Sequence, residues 1–538
     1  MKTKENDNLF INLPVCTADY IRFVIKKMRW QRKARGDVQA ELIGHFEDAL
    51  KDCRTNEEKE KKAAELIADF GDAKILAALA RRAKKRCRPL WQKVLIRSLQ
   101  ALEIIVLYII ICAGYIGIGK PNISVNYMEW LNDYVCQGRD ESLNCAPMLK
   151  KAAQLVAPMP GWINDSNANW HWPSDFNETQ LQKLEGWLAQ NTEAFEALRK
   201  TPDTPYYWNT YDINELIFNT DIRVKGILSP PMKELSKYRQ LVRAMGWQIR
   251  YSAYKNDIEK AIDDAIGLCG FGSRMEGNGL IVEQLVGVAI EALGYSAIFD
   301  ILDKTTLSTE QLEKVQNFLQ QHYKETIIDI RADKACLYDF VQHNFTDDGK
   351  GGGRPIRMGV AFAGKNRTEI FFNTLSFNLP DKKEIIKEID RVYETYQQEF
   401  NLVITSKETM EEQYCRIKQN SPVLLQMLTP AVGKIALITW RFKTHRDGLI
   451  ATLAVLRYHK QTGRYPDSLD ELLNKGFINR MPFDAYRNGS LTYRKTENNF
   501  ILYSFGEDFD DDGGTPSRWG AEAQGGDQVF WPVVKIYN

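Results

Sequence analysis

The sequence predicts a mostly α-helical protein built from a small three-helix domain, one transmembrane helix, a large helical domain and a C-terminal α+β lobe with a small antiparallel sheet. Three observations predict this organisation. Apolar residues recur at helical spacing through most of the 538-residue chain. One apolar run of about twenty residues follows a basic segment. Strand-like segments separated by turn residues occur close to the C-terminus.

Length and charge narrow the possible classes of protein. A chain of 538 residues exceeds what one hydrophobic core usually supports, so several domains are expected. The 71 basic and 70 acidic side chains nearly cancel, whereas nucleic-acid-binding proteins carry a clustered basic excess. The sequence therefore predicts no nucleic-acid partner.

Residues 1–88 are predicted to form three short helices, each burying one apolar stripe against the other two. The second, KARGDVQAELIGHFEDALKD, shows the clearest stripe, and the third contains a Gly-Asp break. The predicted apolar positions of these two helices are Val38, Leu42, Phe46, Leu50, Ala64, Ile67 and Phe70.

The segment LIADFGDAKILAALA, directly before a basic flank and an apolar run, makes residues 16–86 resemble the HAAS family of three-helix domains. That family lies on the cytoplasmic side of bacterial membrane proteins and is associated with signalling or protein interaction. The resemblance implies a cytoplasmic location, a bacterial source and protein partners. It leaves open a role in regulating a sigma factor or a transport system.

Residues 95–119 are predicted to form a transmembrane helix. The preceding segment, residues 81–98, holds eight Lys or Arg and no acid, and LQALEIIVLYIIICAGYIGIG follows it. A helix of that length crosses the hydrocarbon core at about 1.5 Å per residue. Residues 119–141 carry four acidic and two basic side chains, so the positive-inside rule places the N-terminus in the cytoplasm. Gln100 and Glu103 favour the alternative, a buried core helix.

Residues 120–420 are predicted to form a large extracytoplasmic helical domain. GLIVEQLVGVAIEALGYSAIFDIL is apolar on nearly all sides, which is typical of a central buried helix. In IEKAIDDAIGLCG the acidic Asp263 and Asp264 are predicted to face away from the apolar stripe. Cys136 and Cys145 are close enough in sequence to form a disulfide loop.

Residues 421–538 are predicted to form a long helix followed by a small lobe. The signals are a short capped helix in SLDELL, a loop with an Asn-Gly turn in MPFDAYRNGS, and an antiparallel hairpin in which KTENN joins LTYR to FILYSF. The order of these elements, with GRYP before them and YSFGED after them, makes residues 440–532 resemble the globular domain of type II secretion pseudopilins.

In that family a long helix packs on a small antiparallel sheet, and the loop after the last motif binds calcium. The same layout is found at the ends of uncharacterised bacterial membrane-anchored proteins. This chain lacks the cleavage signal and apolar helix tip of true pseudopilins, so the resemblance implies the lobe and its ion but no filament.

The segment GEDFDDDGG carries the strongest candidate site. Asp508, Asp510, Asp512 and Gly513 form D-x-D-x-D-G, a spacing that directs alternate carboxylates at one hard cation. An EF-hand is excluded because Trp519 stands where the twelfth-position Glu is required. The pseudopilin resemblance implies Asp527 as a later ligand, and we expect a structural Ca²⁺. The alternatives are a solvated acidic turn and charge balance by a partner's arginines.

These features predict a membrane-anchored scaffold or sensor in the bacterial inner membrane, with protein partners on one or both sides. The alternative is an extracytoplasmic hydrolase using a carboxylate pair drawn from Glu411-Glu412 or from Asp467, Asp470 and Glu471. No serine, cysteine or zinc hydrolase motif occurs. Trp162, Trp170 and Trp172 either stack on a sugar or fill gaps between helices. A pocket that gathers His343, His445 or an acid pair would favour the hydrolase, and an exposed apolar groove would favour partner binding.

Overall fold

The computed structural model describes residues 8–28, 32–86, 90–163, 172–200, 204–211, 233–325, 328–356, 381–399, 432–517 and 525–534. Within these residues it contains seventeen α-helices and two small antiparallel sheets near the C-terminus. The prediction of a mostly helical chain with a small C-terminal sheet is confirmed. The chain divides into two compact units, Met1–Ile111 and Cys112–Asn538, so residues 120–420 and 421–538 belong to one unit.

The first unit begins with four helices where the sequence predicts three. They are α1 (Val15–Met28), α2 (Arg32–Leu50), α3 (Asn56–Phe70) and α4 (Ala73–Arg86). The predicted third helix is divided at Gly71, which has a φ of +73° and donates its N–H to Ile67 O and Ala68 O. Asp72 Oδ1 then accepts the N–H of Lys74 at 2.7 Å and starts α4.

The apolar stripe predicted for α2 is confirmed, because Val38, Leu42, Phe46 and Leu50 are all buried. In α3, Ile67 and Phe70 pack against the core as predicted, but the predicted alanine is wrong. Ala63 is fully buried, whereas Ala64 is exposed. A single short alanine gives no contrast in hydrophobicity with its neighbour, so the sequence pattern could not distinguish the two.

The next helix, α5 (Leu90–Gly117), is long and apolar enough to cross a membrane. Its most apolar window, Val94–Ile111, is 0% buried by the rest of the chain. The helix Ile281–Lys304 passes the same test of length and composition, but 61% of it is buried. Only the first of these helices therefore exposes its apolar surface along its whole length.

The helices of the second unit are α6 (Tyr127–Cys136), α7 (Ala146–Leu155), α8 (Glu178–Gln190), α9 (Thr192–Arg199), α10 (Lys233–Tyr254), α11 (Ile258–Met275), α12 (Ile281–Lys304), α13 (Thr309–Gln321), α14 (Arg331–Asn344), α15 (Lys382–Glu399), α16 (Val432–Thr462) and α17 (Leu469–Asn474). The central helix is α12, which packs against α10, α11 and α16. This is the position that its apolar sequence predicts.

Glycines bring the antiparallel helices α11 and α12 into backbone contact. A Cβ at Gly272 would lie 2.5 Å from the backbone N of Glu291 and 2.6 Å from Gly287 O. A Cβ at Gly294 would lie 2.5 Å from Cys269 Sγ. Because these distances are shorter than any real Cβ contact, the two helices pack this closely only when these positions have no side chain.

Two details of the second unit differ from expectation. Asp264, predicted to face away from the core, is 0% exposed, and Arg199 from α9 donates its Nε–H to Asp264 Oδ1. An ion pair from another helix, which local periodicity cannot reveal, offsets part of the cost of burying this carboxylate. Cys136 and Cys145 are free thiols, so the disulfide considered for them is not formed.

The C-terminal strands pack on α16. The predicted hairpin is confirmed: β3 (Thr492–Lys495) pairs with β4 (Phe500–Ser504) in antiparallel register, and β5 (Gln528–Trp531) pairs with the other edge of β4. The segment predicted as a loop with an Asn-Gly turn is itself a small hairpin of β1 (Phe483–Asp484) and β2 (Gly489–Ser490). The strand β5 docks on α16 at Gly448, where a Cβ would lie 2.5 Å from the Phe530 ring.

Replacing Gly272 with Ala should lower the free energy of unfolding of the second unit by about 1–3 kcal/mol, because the new methyl meets backbone atoms that cannot move aside. The matched control is Gly186→Ala in α8, where a Cβ meets nothing within 4 Å. That control should be neutral or stabilising by about 0.5–1 kcal/mol. Urea denaturation of the full chain measures both. Equal stability of the two variants would contradict the proposed backbone contact.

Candidate functional site

The candidate calcium site lies on the loop between β4 and β5. The loop begins with a 3₁₀ turn at Gly506–Asp508 and bends sharply at Gly513 and Gly514, whose φ values are +68° and +85°. These are left-handed conformations that favour glycine. The bend predicted from the D-x-D-x-D-G spacing is therefore present, and it turns the acidic residues back towards the start of β5.

Asp508 and Asp512 are brought together by this bend. A Cβ at Gly525 would lie 3.3 Å from Asp508 Oδ2 and 3.9 Å from Asp512 Oδ2, so both carboxylates lie against the same glycine. Asp508 Oδ2 also accepts the N–H of Gly526 at 2.7 Å. The pKa of Asp512 is raised, mainly by loss of solvent and to a smaller extent by the charges of Asp508 and Asp510. The two carboxylates therefore repel one another unless a proton or a cation lies between them.

Asp527 lies beneath the loop and is the most buried of the four predicted ligands, with 1% of its surface exposed. Its Oδ2 accepts the N–H of Gly514 at 2.6 Å, whereas its Oδ1 is buried without a hydrogen-bond partner. Burial raises the pKa of Asp527 to about 6. Hydrogen bonds from backbone N–H groups lower this pKa, and the charges of Asp511 and Asp512 raise it further. A buried carboxylate oxygen without a donor is costly, and a bound cation would remove that cost.

The fourth predicted ligand, Asp510, is exposed, and its Oδ1 accepts the N–H of Asp511 at 2.9 Å. Asp511, which the spacing rule omits, accepts the Tyr503 hydroxyl at 2.8 Å. No three Asp, Glu, His or Cys side chains in the described part of the chain are grouped closely enough to hold a metal ion. The loop thus offers the carboxylate pair of Asp508 and Asp512 and a buried oxygen of Asp527 without a hydrogen-bond partner, but no closed coordination shell.

Nearby arginines do not balance these charges. Arg494 donates to the backbone oxygen of Gly513, and Arg441 donates to Glu507. Within the described residues, neither these arginines nor any lysine forms an ion pair with the four predicted ligands. Among the described arginines, Arg494 and Arg441 therefore reach the backbone of Gly513 and the carboxylate of Glu507.

The acids considered for hydrolysis hold local structure together. Glu471 accepts hydrogen bonds from Arg464, Tyr458 and the backbone N–H of Asp467, which lower the pKa of Glu471. Asp467 accepts a hydrogen bond from Lys495 at 2.7 Å, and Asp470 is exposed on α17. The pair Glu411-Glu412 lies outside the described residues.

The tryptophans considered for sugar stacking do not form a common exposed face among the described residues. Trp172 is 8% exposed and belongs to the main core, and Trp162 packs edge-to-face on Phe176 at 5.5 Å between ring centroids. Trp170 lies outside the described residues. The packing interpretation therefore fits Trp162 and Trp172.

A buried group of ionisable residues was missed by the sequence analysis. Glu276 and Glu291 are each 3% exposed, and Glu276 Oε1 and Glu291 Oε2 are buried without a hydrogen-bond partner. Burial and the charge of Glu291 raise the pKa of Glu276 well above its usual value. Arg446 from α16 lies close by, and Lys324 Nζ donates to Glu276 O at 3.1 Å. These residues are far apart in sequence, so no local sequence motif predicts that they form a cluster.

Among the described residues, the cavity that His445 lines contains neither His343 nor an acid pair. His343 contacts Asp339 on its own helix, through the backbone oxygen at 2.9 Å. His445 lines a cavity of about 930 Å³, where burial alone lowers the pKa of His445 to about 4. The carboxyl pair of Glu276 and Glu291 does not line that cavity.

Asp527 should make the stability of the folded loop depend on pH when divalent cations are absent. Its pKa of about 6 lies above the unfolded value of about 3.9, so the folded state holds the proton more tightly. The stability that this proton contributes is present at low pH and is lost as the pH rises from about 4 to about 6. Hydrogen exchange of the full chain, corrected for intrinsic exchange rates, should show protection of residues 506–517 falling over this range.

Asp527→Asn should flatten that profile, because the amide does not ionise. The control Asp470→Asn, an exposed acid in the same lobe, should keep the wild-type profile. A profile that is unchanged by Asp527→Asn would show that another group titrates.

Comparisons of the chain with family models, with curated proteins and with solved structures found no match.

Proposed function

We propose that this chain is a single-pass scaffold or sensor of the bacterial inner membrane, with a structural Ca²⁺ ion in its C-terminal lobe. The N-terminal helices lie in the cytoplasm and the second unit lies outside. Protein partners bind on one or both sides. The membrane topology and the ion rest on different residues and can be tested separately.

The exposed apolar surface of α5 supports the membrane anchor. Ile104 and Ile110 are 69% and 61% exposed, and the whole window Val94–Ile111 shares this exposure. Soluble proteins rarely leave a continuous apolar surface of that size in water. A bilayer would cover it, and the basic residues 81–98 would remain on the cytoplasmic side.

The unpartnered Oδ1 of Asp527 is the observation that carries the calcium proposal. It belongs to the residue two positions after Gly525, against which Asp508 and Asp512 lie, and each of these carboxylates favours a positive charge nearby. Asp508, Asp512 and Asp527 would hold the ion, with Asp510 at the exposed edge and backbone carbonyls or water completing six to eight oxygens. When bound, the ion supplies charge neutralisation and a link between the two ends of the loop.

The hydrolase alternative gains no support from the described residues. Glu471 and Asp467 are engaged in ion pairs and helix-start hydrogen bonds. The cavity that contains His445 has one carboxylate among its described lining residues, Asp300, and this accepts a hydrogen bond from Arg250. The geometry favours binding and anchoring over acid–base chemistry.

The topology predicts opposite accessibility of two engineered cysteines, Glu60→Cys and Lys350→Cys, at exposed positions on either side of α5. In intact cells, and in a background without other reactive cysteines, a membrane-impermeant maleimide should label position 350 but not position 60. Permeabilised cells, in which both positions should label, are the control. Equal labelling of the two positions in intact cells would contradict the single span.

Calcium should raise the melting temperature of the lobe in the full chain and increase the protection of residues 506–517 from hydrogen exchange, because a ligand of the native state stabilises it by mass action. Asp508→Ala and Asp527→Asn should remove the effect. Asp470→Asn should retain it, since that acid is exposed on α17 and is not one of the predicted ligands. If calcium and chelator give the same melting curve in the wild-type chain, the site does not exist.

A further inference from the structure

The second unit contains a cavity of about 930 Å³ between α10, α12, α16 and β5. Ligand sites for small molecules generally measure about 300–1,000 Å³. The described residues of its wall include Ser517 and Gln528, which lie close to Asp527, but none of α5, so a ligand bound in it would not require the membrane topology.

The walls of the cavity are apolar and partly open. Leu293 on α12, Ile438 on α16 and Val534 after β5 line it, and 49%, 40% and 42% of their respective surfaces are exposed. Monomeric proteins seldom leave large apolar side chains together in this way without a partner or ligand.

Aromatic rings close one part of the cavity. His445 stacks on Phe299 with a centroid distance of 5.5 Å and lies 6.2 Å from the Phe530 ring. Because burial lowers the pKa of His445 to about 4, this imidazole is neutral near pH 7. This part of the cavity therefore suits a hydrocarbon group and offers no charge to an ionic one.

Arginines line the α10 side of the same cavity. Arg250 forms an ion pair with Asp300 at 3.2 Å, and Arg441 pairs with Glu507. Arg239 and Arg243, one helical turn apart on α10, are exposed and have no hydrogen-bond or ion-pair partner among the described residues. Two uncompensated guanidinium groups thus stand beside an apolar space.

We propose that this cavity binds a single-chain amphipathic carboxylate, such as a long-chain fatty acid. The hydrocarbon chain packs on the α12 face and the aromatic rings, and removal of its surface from water drives binding. The carboxylate accepts hydrogen bonds from Arg239 and Arg243, whose planar guanidinium groups match its geometry.

An apolar peptide fits the cavity less well than a fatty acid does. A peptide would bring backbone N–H and C=O groups into the apolar part, where each needs a hydrogen-bond partner. On the α12 face, Ser296 Oγ already donates to Ala292 O at 3.0 Å, and Arg250 is held by Asp300. A hydrocarbon chain makes no such demand.

Gly246 provides a way to fill the cavity without disturbing the fold. It lies on α10 in the cavity wall between Arg243 and Arg250, and a Cβ there would meet nothing within 4 Å. Gly246→Leu should therefore place a side chain into the space that the ligand would occupy. The matched control is Gly186→Leu on α8, where a Cβ also meets nothing within 4 Å.

The test is photo-crosslinking of a diazirine-bearing palmitate to the full chain in phosphatidylcholine nanodiscs, with adducts mapped by peptide mass spectrometry. Adducts are expected on residues 285–297 and 528–534, and excess palmitate should suppress them. Gly246→Leu should reduce these adducts about tenfold, and Arg239→Gln with Arg243→Gln should weaken competition by palmitate about tenfold. Gly186→Leu should label like the wild-type chain.

Hexadecanol, which has the same chain length and no charge, separates recognition of the carboxylate from simple partitioning. It should compete with the probe about tenfold more weakly than palmitate does. Equal competition by the two molecules would overturn the role of the arginines. Adducts confined to α5, or cavity adducts that Gly246→Leu leaves unchanged, would overturn the site. The same results are expected if another segment of the chain or another protein fills the cavity.

Discussion

The close contact between α11 and α12 is the constraint on which the second unit depends. At Gly272, Gly287 and Gly294 the two backbones touch, and no side chain fits between them. The same contact brings the buried carboxyl groups of Glu276 and Glu291 close enough for the charge of Glu291 to raise the pKa of Glu276. On the opposite side of α12, Ala289 and Leu293 face the cavity. One helix thus separates a buried polar cluster from an apolar space, which fits a protein core better than a second membrane crossing.

Features that depend on neighbours in sequence were predictable. The stripe of α2 follows from residues four positions apart, and the hairpin of β3 and β4 follows from alternating residues around a polar turn. The bend at Gly513 follows from the need for a left-handed conformation. In each case the physical cause lies within a few residues, so the sequence alone contains the information.

Features that depend on distant partners were not predictable. The burial of Asp264 requires Arg199, 65 positions away, and the carboxyl pair requires the glycine contact of two helices. In the candidate site, the spacing identified Asp508 and Asp512, but it could not show that Asp510 points to its neighbour's backbone or that Asp511 bonds Tyr503. Likewise, Asp527 was implied only by resemblance, and its unpartnered oxygen became visible only in three dimensions.

The strand β5 belongs to two regions at once. It begins directly after Asp527, and two residues further on Phe530 fits over Gly448 and closes part of the cavity. Whatever orders this strand at one end restricts its motion at the other. Thermodynamic linkage then requires the effect to be reciprocal. If a ligand of the loop raises the affinity of the cavity for its own ligand by some factor, a filled cavity raises the affinity of the loop for its ligand by the same factor.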